Sequence, residues 1–321
     1  MLPGFTGDSV TFVSDRSGWV LGGGRCETGR GDCLGIARTR DGGRTWKGLP
    51  APRGHQRIAG GLPEDQLRFG DLLNGFAFGQ GLVTTHDGGG HWKRTPLTGA
   101  VASLEVGHGQ WWAIVSGCYE AAVACAKAGR VLTGRLGSDV STTVRELPPQ
   151  VTGQVVLHGA AVFLALHRQD GQSAAPALVA STGGPFATRE MPCDDSEVPY
   201  LAAAGDTSLS LVCESLDAGA GQQGKRFFSS ASSGRSWSGH AKPAQIVGTT
   251  VAATGSATFV GNSRTGVEVT RDGGASWADS LRTDAGISYV GFTSGAFGQA
   301  LAGDGLLLTR DAGRTWQQVA F

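Results

Sequence analysis

Four aspartates recur in one short signature that ends in tryptophan, and carboxylates placed so regularly could supply acid–base chemistry. The signature reads Thr-x-Asp-x-Gly-x-x-Trp, and its complete copies have their acid and aromatic residues at Asp41 and Trp46, Asp87 and Trp92, Asp272 and Trp277, and Asp311 and Trp316. The same residue types are typical of a tight turn, because the carboxylate accepts backbone N–H bonds and the glycine adopts positive φ without a clash. We therefore interpret the aspartates as structural turn residues, and the tryptophans as cover for apolar surface between neighbouring repeats.

The spacing of the tryptophans defines a repeat of about 40 to 48 residues. A fifth copy ends at Trp237 and has Ser232 in the place of the acid. The interval from Trp92 to Trp237 is as long as about three repeats, which predicts two further degenerate copies. One is 179–186, with Phe186 in the place of tryptophan, and the other is 132–139. The chain is therefore predicted to contain seven repeats.

Each repeat contains four short apolar-rich runs bounded by glycine, aspartate or proline, which is the pattern of β-strands joined by tight turns. No stretch has a sustained helical period, and the 53 glycines suit a chain that turns often. Four-stranded units arranged radially form a propeller, so we predict an all-β fold, a seven-bladed β-propeller of four-stranded antiparallel blades. The predicted organisation is a lead-in segment at 1–8 and a single propeller domain at 9–321, with blades at about 9–50, 66–97, 101–148, 152–192, 197–241, 245–281 and 286–321.

The repeated signature resembles the Asp-box, or BNR, repeat of sialidase-type propellers. The same repeat occurs in xyloglucan hydrolases, in sortilin-type receptors and in photosystem II assembly-factor propellers, and the resemblance covers about residues 9 to 320. It implies the propeller fold and leaves the activity open, because one fold hosts many functions. The Phe-Arg-Ile-Pro segment of sialidases is absent, and none of Tyr119, Tyr200 and Tyr289 can be assigned as their nucleophile. The chain therefore resembles an exported bacterial member of this superfamily without the sialidase catalytic set.

The six cysteines predict three disulfides. Cys26 and Cys33 have the same spacing as Cys118 and Cys125, in equivalent loops of two repeats, and the remaining pair is Cys193 with Cys213. Persistent disulfides require an oxidising compartment, so we expect a secreted or cell-envelope protein. Metal binding is the weaker alternative, because no Cys-x-x-Cys occurs and no histidine lies near a cysteine in sequence. No metal and no cofactor are predicted.

The charges of the chain balance, with 27 basic and 27 acidic side chains. A surface for nucleic acid requires a basic excess, so nucleic acid is not predicted as a partner. No apolar run reaches the ~18 residues that a membrane-spanning helix needs, and residues 1–20 lack the pattern of a signal peptide.

Candidate ligand-binding residues lie on the loops that follow strands two and four of the blades, since the resemblance places binding sites on the face that these loops share. They are His55, Arg57, Glu64, Asp65, Tyr119, Glu120, Asp194, Asp195, Glu197, Arg264, Arg282 and Asp284. The grouped acids at 194–197 could bind a hard cation, but a solvated loop tip is the preferred interpretation.

The predicted function is that of an exported, non-catalytic binding or scaffold propeller that engages a protein or glycan partner through these loops. The alternative is a glycoside hydrolase, or a related carbohydrate-active enzyme, with paired carboxylates at the mouth of the central channel.

Overall fold

The computed structural model describes residues 1–26, 32–52, 65–117, 126–169, 175–215, 224–240, 249–262, 266–303 and 305–321. Within these residues the chain forms 28 β-strands and no helix, so the described part contains no helix that could cross a lipid bilayer. The strands form seven four-stranded sheets, and neighbouring strands are antiparallel. The predicted fold, a seven-bladed propeller of four-stranded antiparallel blades, is confirmed.

Each sheet consists of four strands that follow one another along the chain. Blade 1 contains β1 (Thr6–Phe12), β2 (Gly18–Arg25), β3 (Asp32–Thr39) and β4 (Lys47–Leu49). Blade 2 contains β5 (Asp65–Phe69), β6 (Gly75–Gly79), β7 (Leu82–Thr85) and β8 (Lys93–Thr95). Blade 3 contains β9 (Ala100–Gly107), β10 (Gln110–Ser116), β11 (Gly129–Arg135) and β12 (Ser141–Leu147). Blade 4 contains β13 (Val151–His158), β14 (Ala161–Arg168), β15 (Ala177–Thr182) and β16 (Ala187–Glu190).

The last three blades follow the same order. Blade 5 contains β17 (Glu197–Ala203), β18 (Leu209–Ser215), β19 (Lys225–Ser230) and β20 (Ser238–His240). Blade 6 contains β21 (Thr250–Thr254), β22 (Ala257–Asn262), β23 (Gly266–Thr270) and β24 (Ala278–Arg282). Blade 7 contains β25 (Ile287–Phe292), β26 (Gly298–Ala302), β27 (Gly305–Thr309) and β28 (Gln317–Val319).

The second strand of each blade is more buried than the fourth. β14 is buried along Ala161–Leu166 and β26 along its whole length, whereas β12, β16 and β28 are mostly exposed. Strands buried on both faces have continuous apolar runs rather than strict alternation, and β14 and β26 follow this rule.

The apolar cores lie between neighbouring blades. The adjacent Trp111 and Trp112 of β10 show this division, because successive residues of a strand face opposite sides of the sheet. Trp111 packs on Phe76 of blade 2 with ring centroids 5.5 Å apart, and Trp112 packs on Phe186 of blade 4 at 5.6 Å. The two tryptophans therefore serve two interfaces and form no common platform.

The inner strands are also joined by side-chain hydrogen bonds to backbone groups of the next blade. The Oγ atom of Ser9 accepts a bond of 3.0 Å from the Leu67 N–H, and Ser103 Oγ accepts one of 3.0 Å from Val155. At the closure of the ring, Thr293 Oγ1 donates to the carbonyl of Phe12 at 3.3 Å. Blade 7 thus closes on blade 1 by packing and hydrogen bonding, with all four of its strands from one continuous segment.

Candidate functional site

The aspartate of each complete signature accepts hydrogen bonds from its own turn. In blade 1, Asp41 Oδ1 accepts from the backbone N–H groups of Arg44 and Thr45 at 3.0 and 2.9 Å, and Oδ2 accepts from the Thr45 hydroxyl at 2.6 Å. The Thr39 hydroxyl donates to Asp41 at 2.9 Å and accepts from the Gly43 N–H at 2.8 Å. The turns at Asp87, Asp272 and Asp311 repeat this arrangement.

These bonds favour the ionised carboxylate, so they lower the pKa of the four aspartates. The Thr45 and Thr315 hydroxyls contribute most for Asp41 and Asp311 and lower each pKa to about 2. The pKa of Asp87 and that of Asp272 are also well below the usual range, through bonds from His91 and Ser276. A general acid requires a raised pKa, so the shift is opposite in sign to that requirement.

In four of the five tryptophan-ended turns, the residue after the position of the acid links blades through its backbone. These residues are Gly42, Gly88 and Ala312, which follow an aspartate, and Ser233, which follows Ser232, and all have positive φ. Their carbonyls accept bonds from the preceding blade: Gly42 from Arg310 at 2.7 Å, Gly88 from Trp19 at 3.0 Å, Ala312 from Arg271 at 2.8 Å, and Ser233 from Arg189. Their N–H groups donate to the hairpin between the first two strands of their own blade. The turn therefore holds its own blade together and attaches it to the blade before.

The tryptophan that ends the signature also reaches the preceding blade. Trp92 Nε1 donates to the carbonyl of Pro50 at 3.3 Å, and Trp316 Nε1 donates to Ser280 Oγ at 3.0 Å. Trp46 packs edge-on against Phe321 with ring centroids 5.3 Å apart. These contacts fill the outer part of the space between blades.

The fifth turn keeps this geometry with a hydroxyl where the others have a carboxylate. Ser232 Oγ accepts from the Ser236 N–H at 3.0 Å, as an aspartate oxygen does elsewhere. Ser230 Oγ accepts from Gly234 N–H at 2.9 Å. Trp237 Nε1 still donates to the preceding blade, at the carbonyl of Glu190, over 3.2 Å. The turn is therefore retained while its negative charge is lost.

Blade 3 uses its acid differently. Asp139, at the end of the degenerate copy 132–139, accepts from Lys93 at 2.5 Å and from His86 at 3.1 Å, both in blade 2. The Lys93 ammonium is the largest cause that lowers the pKa of Asp139, to about 2. In other blades the aspartate of the repeat bonds its own turn, whereas Asp139 of blade 3 bonds side chains of blade 2 and so joins the two blades.

Half of the predicted ligand-binding residues lie outside the described residues. These are His55, Arg57, Glu64, Tyr119, Glu120 and Arg264, and Asp65 lies in β5 without a described side chain. The predicted disulfide partners Cys118 and Cys125 also lie outside them.

The acid cluster at 194–197 is described, and an arginine occupies it. Glu197 is buried, and its carboxylate binds the guanidinium of Arg226, with Nε to Oε1 at 2.9 Å. Arg226 also contacts Asp194 at 3.0 Å, and Asp195 is exposed. The positive charge that a bound metal ion would bring to these carboxylates is therefore supplied by the guanidinium of Arg226.

The remaining described candidates, Arg282 and Asp284, do not meet at a pocket. Arg282 pairs with Asp279 of its own strand at 2.7 Å, and Asp284 is exposed.

Two of the three predicted disulfides are present, Cys26–Cys33 and Cys193–Cys213. The sulfurs of Cys193 and Cys213 lie within 4.8 Å of a Glu197 carboxylate oxygen, a spacing compatible with metal ligation. Thiolates and free carboxylates are the ligands that a metal requires. Here the sulfurs are bonded to each other and Glu197 binds Arg226, so the group does not offer a metal site.

The central channel contains a polar cluster that the sequence did not predict. Arg68 of blade 2 pairs with Glu105 of blade 3 at 2.9 Å, and its guanidinium lies 5.7 Å from the ring of Tyr289 of blade 7. Burial lowers the pKa of Arg68, but Glu105 and Tyr289 outweigh it and the net shift is upward. The three residues are 37 to 221 positions apart (105 − 68 and 289 − 68), so only ring closure reveals their proximity.

A second buried polar cluster lies within blade 5. Lys225 is fully buried with its Nζ 3.8 Å from Glu214 Oε1, and burial lowers the pKa of Lys225. Burial also raises the pKa of Tyr200, and the neighbouring Glu214 raises it further. A tyrosine nucleophile requires easier ionisation, so Tyr200 is poorly suited to that role.

A groove lies where the outer strand of blade 4 meets the fifth turn. Its walls are 189–192 of blade 4 and 234–237 of blade 5, and its volume is about 520 Å³. Ligand pockets span roughly 300 to 1,000 Å³, so the groove has room for a ligand or a peptide side chain. The sequence signal at this place is the loss of the acid at Ser232 from the fifth turn.

No protein-family model and no curated protein sequence matches the chain. Solved structures do match it. YCF48 from Cyanidioschyzon merolae aligns with a TM-score of 0.63 and 15% identity over 98% of both chains. A YCF48 structure bound to a D1 peptide aligns with a TM-score of 0.61 and 16% identity, over 97% of this chain and 95% of that one. The GH74 enzyme of Niastella koreensis aligns with a TM-score of 0.55 and 10% identity, over 98% of this chain and 65% of that one.

At these identities the likeness shows the fold. The solved structures confirm the predicted seven-bladed propeller fold, and the resemblance to the Asp-box repeat stays a prediction. The neighbours include a peptide-bound protein and a glycoside hydrolase, so the fold does not choose between the two predicted functions.

Proposed function

We propose that the protein is an exported, non-catalytic binding or scaffold propeller that engages a partner, in the first instance a protein. The loops that follow strands two and four of the blades supply part of the contact surface. The four acidic turns hold the blades together and take no part in binding.

The sign of the carboxylate pKa shifts carries this proposal. Hydrolysis of a glycoside by two carboxylates requires one with a raised pKa, separated from its partner by about 5 to 10 Å across a cleft. Among the described residues, the aspartates whose pKa departs from its ordinary value, such as Asp41, Asp139 and Asp311, all have a lowered pKa. Binding to a partner makes no such demand.

A protein partner is favoured over a glycan by one of the structural neighbours. YCF48, of similar length and fold, is bound to a D1 peptide in its solved structure. Two disulfides support an oxidising compartment, and we propose a secreted or cell-envelope location.

The test is to incubate the purified protein with a panel of chromogenic glycosides and, separately, with peptide and glycan arrays. We expect saturable binding to peptides and no turnover of any glycoside. Turnover that is abolished by one carboxylate substitution would overturn the proposal and establish the hydrolase alternative.

The compartment is tested by mass spectrometry of the protein with and without reduction. A mass increase of about 6 Da on reduction is expected, since each of the three predicted disulfides gains two hydrogens. Six free thiols in protein isolated from its native source would contradict the proposed location.

A further inference from the structure

The groove between blades 4 and 5 has a positive charge that the protein does not neutralise. Arg189 and Arg235 both line it. Among the described residues, no carboxylate lies within ion-pair distance of either guanidinium. Glu190 is the one acidic residue of the lining. Burial lowers the pKa of Arg189, and the charge of nearby Arg235 lowers it further.

The fifth turn also lacks the negative charge that the corresponding turns of other blades have. Arg235 occupies the same position of its turn as Arg44 and Arg314 do in blades 1 and 7. In those turns the backbone N–H of the arginine donates to the aspartate carboxylate, at 3.0 Å in both cases, so a negative charge lies beside the backbone of each arginine. In blade 5 the corresponding residue is Ser232, which is neutral. The arginine is therefore retained at the one described tryptophan-ended turn that lacks the acid.

The rest of the groove lining is largely apolar. Met191, Pro192 and Trp237 contribute to it, and the indole N–H of Trp237 is already bonded to the carbonyl of Glu190. A neutral sugar presents hydroxyls that need acceptors as well as donors, whereas the two guanidinium groups of this lining can only donate. Guanidinium groups match carboxylates in charge and in the geometry of two parallel hydrogen bonds.

We propose that this groove binds an acidic peptide segment of a partner protein, with carboxylates on Arg189 and Arg235 and an apolar side chain against Trp237. The inference rests on the proposed partner-binding function and extends its contact surface from the segment after the fourth strand of blade 4 to the fifth turn.

The test uses a fluorescein-labelled decapeptide of alternating glutamate and leucine, and the same peptide with glutamine for glutamate. Fluorescence polarisation measures their affinity for the full chain at low and high salt. We expect the acidic peptide to bind more tightly, and we expect salt to weaken it because the charges are only partly buried.

Arg235→Gln is the informative variant, because Arg235 is exposed and has no side-chain bond among the described residues, so we expect its loss to leave the fold intact. We expect it to weaken binding of the acidic peptide on the order of tenfold, the effect of one charged hydrogen bond. Arg314→Gln, the equivalent change in blade 7, is the matched control and is expected to bind as wild type does. Ser232→Asp restores the missing acid, and is expected to weaken binding without lowering the Tm.

Equal binding of the two peptides by wild type, or equal affinity of the Arg235→Gln and Arg314→Gln variants, would overturn the groove as the site. The proposed function survives that result if the peptide array still detects binding elsewhere. Binding of a sulfated oligosaccharide that depends on Arg235, without binding of the peptide, would overturn the proposed ligand class. Glycoside turnover would refute the proposed function while leaving the peptide measurement to decide the groove separately.

Discussion

The turns of blades 1, 2, 6 and 7 and the turn of blade 5 share a backbone geometry and differ in charge. In the first four, an aspartate accepts bonds from backbone N–H groups of its own turn and gives the turn a negative charge. In blade 5, Ser232 makes the same type of bond with a neutral oxygen, and Arg235 is left without an acid. The comparison shows that the turn requires a side-chain oxygen that accepts a hydrogen bond from its backbone N–H. It does not require that this oxygen carry a negative charge. Where the charge is lost, the outer edge of the ring becomes a place for an external anion.

The largest expected effect concerns the tryptophan that closes each interface. Trp316→Ala removes a ring that packs on Phe292 and an indole that bonds Ser280. We expect a loss of about 3 to 5 kcal/mol in the free energy of unfolding, measured by urea denaturation. Phe186→Ala in blade 4 is the comparison, and a smaller loss is expected because phenylalanine has no N–H to bond. An equal or larger loss for Phe186→Ala would show that the signature tryptophan has no special part in the interface.

The disulfide Cys193–Cys213 joins the end of blade 4 to the second strand of blade 5, where the neighbouring turns have lost their acid. The double variant Cys193→Ser and Cys213→Ser is expected to cost about 2 to 4 kcal/mol in the free energy of unfolding. Chemical denaturation at neutral pH measures it, with the Cys26→Ser and Cys33→Ser double variant as the control. A larger loss for the control, whose loop is shorter, would contradict this ranking.

Exchanging the acceptor between the two kinds of turn gives a smaller effect. Asp311→Ser makes the turn of blade 7 resemble that of blade 5, and removes the bond between the carboxylate and the Thr315 hydroxyl. We expect the Tm to fall by about 2 °C, since one exposed turn contributes modestly in a chain of this length. Ser232→Asp is expected to leave the Tm unchanged or to raise it. A fall in Tm for Ser232→Asp would mean that blade 5 cannot accommodate the acid.

The smallest expected effect is a dependence of the protein's stability on pH in the acidic range. A lowered pKa in the folded state stabilises the fold above the unfolded value, near 4, and this contribution is lost as the pH falls through the folded value. For Asp41 and Asp311 the window is therefore from about pH 4 to about pH 2. Thermal denaturation across this range is expected to show a steeper decline for wild type than for Asp311→Ser. Parallel curves for the two proteins would contradict the role of this carboxylate.

The sequence was sufficient to predict the blades because the repeat encodes local structure. The Asp41 carboxylate bonds only residues within five positions of it, so this part of the pattern is visible in the linear chain. The function of Asp139 could not be predicted in this way, because its partners His86 and Lys93 lie in the previous blade. The channel cluster at Arg68 was missed for the same reason, since its partners come from two other blades.

The groove shows a different limit of sequence analysis. The loss of the acid at Ser232 was visible, and the retained Arg235 was visible beside it. Neither indicated that Arg189, from the outer strand of blade 4, would bring a second guanidinium to the same place. Six of the predicted ligand-binding residues, from His55 to Arg264, lie outside the described residues and stay predictions.

The most direct test of the central claim, that the turn aspartates are structural, is an NMR titration of the aspartate carboxyl carbons in the folded protein. We expect pKa values of about 2 for Asp41 and Asp311, and values at least as low for Asp87 and Asp272. A pKa at or above the ordinary value near 4 for any of these four carboxyls would contradict the claim, because that carboxyl would then be free to exchange a proton with a substrate.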